Sequence, residues 1–280
     1  MEISSSNLRF HISLIAIDLL KPHEEIIESS VRSLAKEIER EKEVRDPIMV
    51  DQDDYIILDG MHRFNSLRSL GCKFAPCCLL DYNSDQIKVG AWYRLFQVKN
   101  AEQLAEDVMS SNHLTYSKKQ VNLQNMDTEP HRIIITGTGA AISLPGNMDG
   151  VEEARTCALL EKEIAKRGYK VEYLSETMAV REIRSEQMNL MILLPIFTKK
   201  QIRECALQGR LLPHKATRHV IPSRPLRVDV PLSLLRDANI SLTEANRKMD
   251  ELLNRKNVIV KPPGSIVDGR RYDEELLIFS

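Results

Sequence analysis

The stretch that most constrains the fold is residues 55–71, Tyr-Ile-Ile-Leu-Asp-Gly-Met-His-Arg-Phe-Asn-Ser-Leu-Arg-Ser-Leu-Gly. Its first four residues are a short apolar, β-prone run, which predicts a buried strand. Asp59-Gly60 breaks that run, and Gly60 permits a turn that a Cβ would hinder. From Met61 the period changes: Phe64, Leu67 and Leu70 recur every three residues and mark one face of a helix. Gly71 falls where a helix-ending glycine belongs. A strand, a tight turn and a helix N-terminus in this order aim free N–H groups and the positive end of the helix dipole at one spot, a ready anion site. Asp59, His62 and Arg63 stand at that spot. A carboxylate beside bound phosphate calls for a metal ion between the two negative charges. The plainer reading, a glycine turn with Asp59 as helix cap, requires no ligand.

Length and charge narrow the function. At 280 residues the chain suits one large or two modest domains. Its 39 basic and 40 acidic residues leave a net charge of −1, so it has no general affinity for a polyanion. This argues against nucleic acid as the main ligand. The cysteines Cys72, Cys77, Cys78, Cys157 and Cys205 form no CxxC pair and are odd in number, which reads as reduced, mostly buried thiols of a cytoplasmic protein. The first residues lack a signal-peptide pattern and no apolar run approaches membrane-spanning length, so no membrane partner is expected. The sequence specifies no oligomeric state.

Residues 8–17 alternate as an opening strand, and a helix is expected from Ile26 with Ile27, Val31, Leu34 and Ile38 as its apolar stripe. Pro47 bars its continuation, and residues 47–51 and 72–82 read as further strands. Ser84 is expected to cap a helix running through Trp92 to Phe96, with a second helix over 101–110. Residues 115–130 are polar and aperiodic and end at Pro130, which marks a domain boundary. Beyond it strands are expected over 132–136, 169–174, 189–196, 226–230, 258–261 and 275–279, with a helix over 151–166. Capping-box patterns open further helices at Thr198 and Ser241. The glycines at 137 and 139 follow a strand but lack the third glycine of a dinucleotide fingerprint, and so predict a hairpin.

The order Pro47-Ile-Met-Val50, turn, strand, Asp59-Gly-Met-His-Arg63, helix, Leu70-Gly-Cys72 resembles the ParB/sulfiredoxin fold. Within that superfamily it is most similar to the free L-serine kinases. Pro22-His-Glu24, Gly90-Ala-Trp92, Ala216-Thr-Arg-His-Val220 and Val230-Pro-Leu232 fall in the family's order. Sulfiredoxins carry a nucleophilic cysteine where Met61 stands, and a thioether has no ionisable S–H. ParB proteins carry a Gly-Glu-Arg-Arg motif and a helical DNA reader, whereas this chain has Gly60-Met-His-Arg63 and an alternating second half. A ParB-like nucleotide-binding regulator is the alternative.

The resemblance implies an α+β chain, with a ParB/sulfiredoxin-like nucleotide-binding domain over 1–115. A mixed α/β C-terminal domain over 130–280 would contribute to the serine site. It implies phosphoryl transfer from ATP or ADP to free L-serine with Mg²⁺ as cofactor, giving O-phospho-L-serine. Asp59, Gly60, Met61, His62 and Arg63 would bind the nucleotide, with Asp59 helping to hold Mg²⁺. Glu24 would be the catalytic carboxylate, with His23 as its rival. Trp92, Thr217, Arg218 and His219 would hold serine or its product. Arg218 suits a carboxylate or phosphate, because a guanidinium can bind two oxygens at once. Met61 is closer to the ATP-using branch, where the residue is aliphatic. The run Thr217-Arg-His-Val-Ile-Pro222 reads more like the ADP-using one, so the donor stays open.

Overall fold

The computed structural model describes residues 1–5, 8–123, 132–135, 138–183 and 189–280. They form a mixed α+β chain of two compact units that interleave in sequence. One holds Met1–Lys88, Lys199–Leu211 and His219–Ser280; the other holds Val89–Thr198 and Leu212–Arg218.

The first unit is built on a five-stranded sheet in the order Glu2–Ser5, Leu8–Ala16, Phe74–Leu80, Ile48–Asp51, Ile57–Asp59. Only Ile48–Asp51 and Phe74–Leu80 pair in parallel, because the chain between them must make a crossover through the strand Ile57–Asp59 and the helix Met61–Ser69. That helix packs on Glu28–Glu41, whose buried Val31 and Ile38 belong to the expected stripe. Helix Leu242–Leu253 covers the strand Leu8–Ala16, and its Ser241 cap accepts from the Glu244 N–H at 3.2 Å. Ile12, Leu14, Ile48, Val50, Phe64 and Leu67 sit in one continuous core between these layers. A three-stranded sheet, Ser223–Leu226, Glu275–Phe279 and Val258–Lys261, completes the unit. The strand expected over 226–230 is broken, because Arg227 and Asp229 take positive φ of 58° and 47°.

The second unit is a six-stranded antiparallel sheet ordered Glu172–Leu174, Tyr93–Gln97, Asn189–Ile192, Ile133–Ile135, Ala140–Ser143, Ser117–Gln120. Helices Ala101–Ser111 and Gly150–Lys166 pack together, the latter opened by a reciprocal capping box between Asp149 and Glu152.

Two further expectations change. The helix expected from Ser84 to Phe96 is instead extended chain, with strands at Lys88–Gly90 and Tyr93–Gln97. Tyr93–Gln97 is paired on both sides, and Arg94, Leu95 and Phe96 are all buried. A strand buried on both faces loses its alternation, so a short apolar run there reads as helically as it does extended. The polar stretch expected to separate domains supplies instead the exposed edge strand Ser117–Gln120 of the second unit. Residues 124–130 of that stretch lie outside the described residues. Strands Ile133–Ile135 and Ala140–Ser143 pair antiparallel as the hairpin reading requires, though 136 and 137 lie outside the described residues.

Candidate active site

The turn after strand Ile57–Asp59 is tight for a steric reason. Gly60 has φ of 104°, and a Cβ there would meet Arg63 Nη1 at 3.0 Å and Ile48 Cγ2 at 3.3 Å. It serves as N-cap of helix Met61–Ser69, with the Phe64 N–H donating to the Gly60 carbonyl at 2.9 Å. The N–H groups of Met61, His62 and Arg63 precede that first helical bond and point out of the helix start. The Met61 side chain is 8% exposed and joins the core, so toward a ligand the residue has only its backbone to offer. His62 turns to the neighbouring helix, where its Nε2 accepts the Ile27 N–H at 3.2 Å. Arg63 folds back, and its Nη1 donates to the Pro47 carbonyl at 2.8 Å.

Asp59 is surrounded by guanidinium groups. Its Oδ2 lies 2.5 Å from Arg224 Nη1, and Arg224 Nε donates to Glu274 Oε1 at 2.7 Å. Burial works to raise the Asp59 pKa, but the combined attraction of Arg224, Arg63 and Arg270 holds it well below the usual carboxylate range. Sequence reading missed Arg224 and Arg270, since neither belongs to a local motif. Arg63 also lines a cavity of about 260 Å³. Leu34, Ile38, Val44, Leu226 and Tyr272 give it apolar walls, and its charged lining mixes the guanidinium groups of Arg45, Arg63, Arg227 and Arg270 with the carboxylates of Glu37, Glu41, Glu43, Asp46 and Asp268. The apolar walls beside Arg63 suit a planar base whose phosphates meet that guanidinium.

Among the described residues no group of three or more His, Cys, Asp and Glu side chains gathers to hold a metal ion. Asp59, 45% exposed, is the carboxylate at this turn, and Mg²⁺ is commonly held by one or two carboxylates together with waters and substrate phosphates.

Behind the turn sits a buried imidazole pair. His23 Nδ1 lies 2.7 Å from the Ile57 carbonyl, which fixes the proton on that nitrogen in the neutral ring. The His23 ring meets that of His219 edge-on at 5.3 Å. Burial lowers the His23 pKa to about 4. It lowers that of His219 to about 3, with repulsion from His23 added. His219 Nε2 is 2.8 Å from the Tyr82 hydroxyl, and the ring also bonds the Leu58 backbone. Both of its nitrogens therefore work inside the protein. Glu24 is 9% exposed and sets Oε1 3.8 Å from His23 Nε2.

The second unit gathers Trp92, Thr217 and Arg218. Arg94, fully buried, is their anchor: Nη1 donates to the Trp92 carbonyl at 2.6 Å and to that of Lys215 at 3.1 Å. Its Nη2 donates to the His214 carbonyl at 2.8 Å, and Nε pairs with Glu161 at 2.8 Å. One guanidinium thus fixes Trp92 to the segment that carries buried Thr217 and Arg218. The Arg218 guanidinium lies 5.4 Å from the Trp92 ring centroid.

No protein-family model matches the chain. The class of protein it is similar to is the L-serine kinases. It is 27% identical to an ATP-dependent L-serine kinase of Desulfurococcus mucosus over 233 residues, 80% of this chain and 90% of that one. To the ADP-dependent L-serine kinase SerK of Thermococcus kodakarensis it is 26% identical over 229 residues, 79% of this chain and 91% of the other. A solved free serine kinase in complex with AMP matches with a TM-score of 0.66 at 25% identity, covering 80% of this chain and 93% of that one. The likeness read from the order of the motifs thus extends over most of the chain.

Proposed function

We propose that this protein is a free L-serine kinase, transferring a phosphoryl group from ATP or ADP to the serine hydroxyl to give O-phospho-L-serine. What carries the reading is the Asp59–Arg63 turn: an anion-binding helix start beside a carboxylate and three guanidinium groups, in a chain similar to L-serine kinases over 80% of its length. In this reading the first unit has a ParB/sulfiredoxin-like fold. Five buried thiols suit a reducing compartment, and the cytoplasm is the location this reading implies.

The donor phosphates lie against the N–H groups of Met61, His62 and Arg63 and the Arg63 guanidinium, and the cavity beside Arg63 takes the adenine. Asp59 would hold Mg²⁺, which when bound neutralises charge on the phosphates. Trp92, Thr217 and Arg218 bind serine, and His219, with both ring nitrogens engaged, acts by positioning. As the serine oxygen bonds to the terminal phosphorus, the bond from phosphorus to the departing ADP or AMP oxygen breaks and its electron pair leaves with that oxygen. The hydroxyl proton passes to the Glu24 carboxylate. His23, neutral and with its Nδ1 proton committed to the Ile57 carbonyl, is the second candidate for that proton. The reading is tested by incubating the protein with Mg²⁺, L-serine and each nucleotide in turn and looking for phosphoserine by mass spectrometry.

A further inference from the structure

Glu176 has no part in the reading above, yet its placement is costly to build. It opens helix Glu176–Ile183, and its Oε1 accepts the Ala91 N–H at 2.7 Å. A Cβ on Gly90 would sit 1.7 Å from that same oxygen, so the carboxylate can occupy this position only because residue 90 is glycine. With Oε1 fixed by the backbone, Oε2 is held 3.7 Å from Arg218 Nη1. The two side chains are 29% and 21% exposed, neither fully buried nor loose in solvent. Trp92, next in sequence to Ala91, lies under the Arg218 guanidinium. A fixed carboxylate and a fixed guanidinium therefore stand side by side against an indole.

We infer that Glu176 reads the α-ammonium of the substrate, so that Glu176 and Arg218 together form a cradle for a zwitterionic α-amino acid. An α-amino acid carries its carboxylate and ammonium on one carbon, and the protein carries the complementary pair at adjoining points. Arg218 meets the carboxylate in the reading above, on which this inference rests, and that leaves the opposite charge for Glu176. A charge-assisted bond to each end selects amino acids over hydroxy acids that share the carboxylate and hydroxyl. The simpler role for Glu176 is to complement the positive end of its own helix and bond Ala91. That role is indifferent to the substrate's amino group.

The two roles separate in one comparison, using L-serine and 3-hydroxypropionate, which lacks only the ammonium. Glu176→Gln keeps a carbonyl oxygen to accept the Ala91 N–H and loses the charge. It should raise KM for L-serine at least about tenfold while leaving that for 3-hydroxypropionate unchanged. Equal losses for both substrates, or no loss for either, would overturn the assignment. Calorimetric binding of the same two ligands to wild type and Glu176→Gln gives the same split without turnover. If the wild type makes no phosphoserine, the kinase reading falls. The binding split still decides this assignment, standing if serine alone binds more weakly to the variant and falling if the ligands behave alike.

Discussion

Asp59 and Arg224 stand 165 residues apart in sequence and meet at 2.5 Å, the aspartate at the end of its strand and the arginine from another sheet of the same unit. Arg224 is itself shared with Glu274. Its removal would take from Asp59 and Glu274 the cation they share, leaving Asp59 with the weaker attraction of Arg63 and Arg270. Because Asp59 remains 45% exposed, the cost of Arg224→Met should be about 1–2 kcal/mol, below the value for a fully buried pair. The depressed Asp59 pKa adds stability that is present above its unfolded value of 3.8 and is lost as pH falls further. Urea denaturation should show the variant weakened at neutral pH and closer to wild type at pH 3. Equal weakening at both would contradict the pairing.

The imidazole pair predicts a second pH effect at a higher window. His23 and His219 have folded pKa values of about 4 and about 3 against 6.5 when unfolded. The unfolded chain therefore takes up protons that the folded one refuses, and stability rises with pH across this window. The contribution is complete above pH 6.5 and should be lower by about 2 kcal/mol per ring at pH 5. His23→Asn should flatten this limb. A stability that does not change between pH 7.5 and 5 would rule out buried neutral imidazoles.

Arg94 predicts a selective defect. A lysine in its place keeps the charge but cannot bond Glu161 and three carbonyls together. Arg94→Lys should raise KM for serine about tenfold or more, leaving the nucleotide Kd within about twofold. Parallel losses for both ligands would show general unfolding of the unit instead.

Glu24 predicts a defect in turnover. Glu24→Gln should fold and bind nucleotide normally while kcat falls about 10²-fold or more. Near-normal kcat would pass the base role to His23, with His23→Ala the next variant to measure.

What the sequence made legible was local. The strand, glycine turn and helix over 55–71 follow from a switch of period and one glycine; the order stands, with Gly71 at φ of 68°, but the strand expected over 55–58 runs Ile57–Asp59 and Tyr55 takes φ of 57°. The stripe of helix Glu28–Glu41 and the Ser241 cap are equally local signals. Arg224 and Arg270 were not legible, because they act on Asp59 across long sequence separations and no spacing rule links them. Arg94 was hidden for another reason. It lies in a central strand buried on both faces, where a charged residue in an apolar run says nothing of the carbonyls it serves. His62 and Met61 belong to the motif by position, yet one side chain bonds a neighbouring helix and the other joins the core. A motif thus named the turn without separating the residues that face a ligand from those that build the turn.

The central claim is chemical, and product formation tests it most directly. Purified protein with Mg²⁺, L-serine and either ATP or ADP, followed by mass spectrometry, should give one O-phospho-L-serine for each ADP or AMP released. The yield should fall about 10²-fold with Glu24→Gln. Absence of phosphoserine with both donors, in folded protein across a range of pH, would contradict the account.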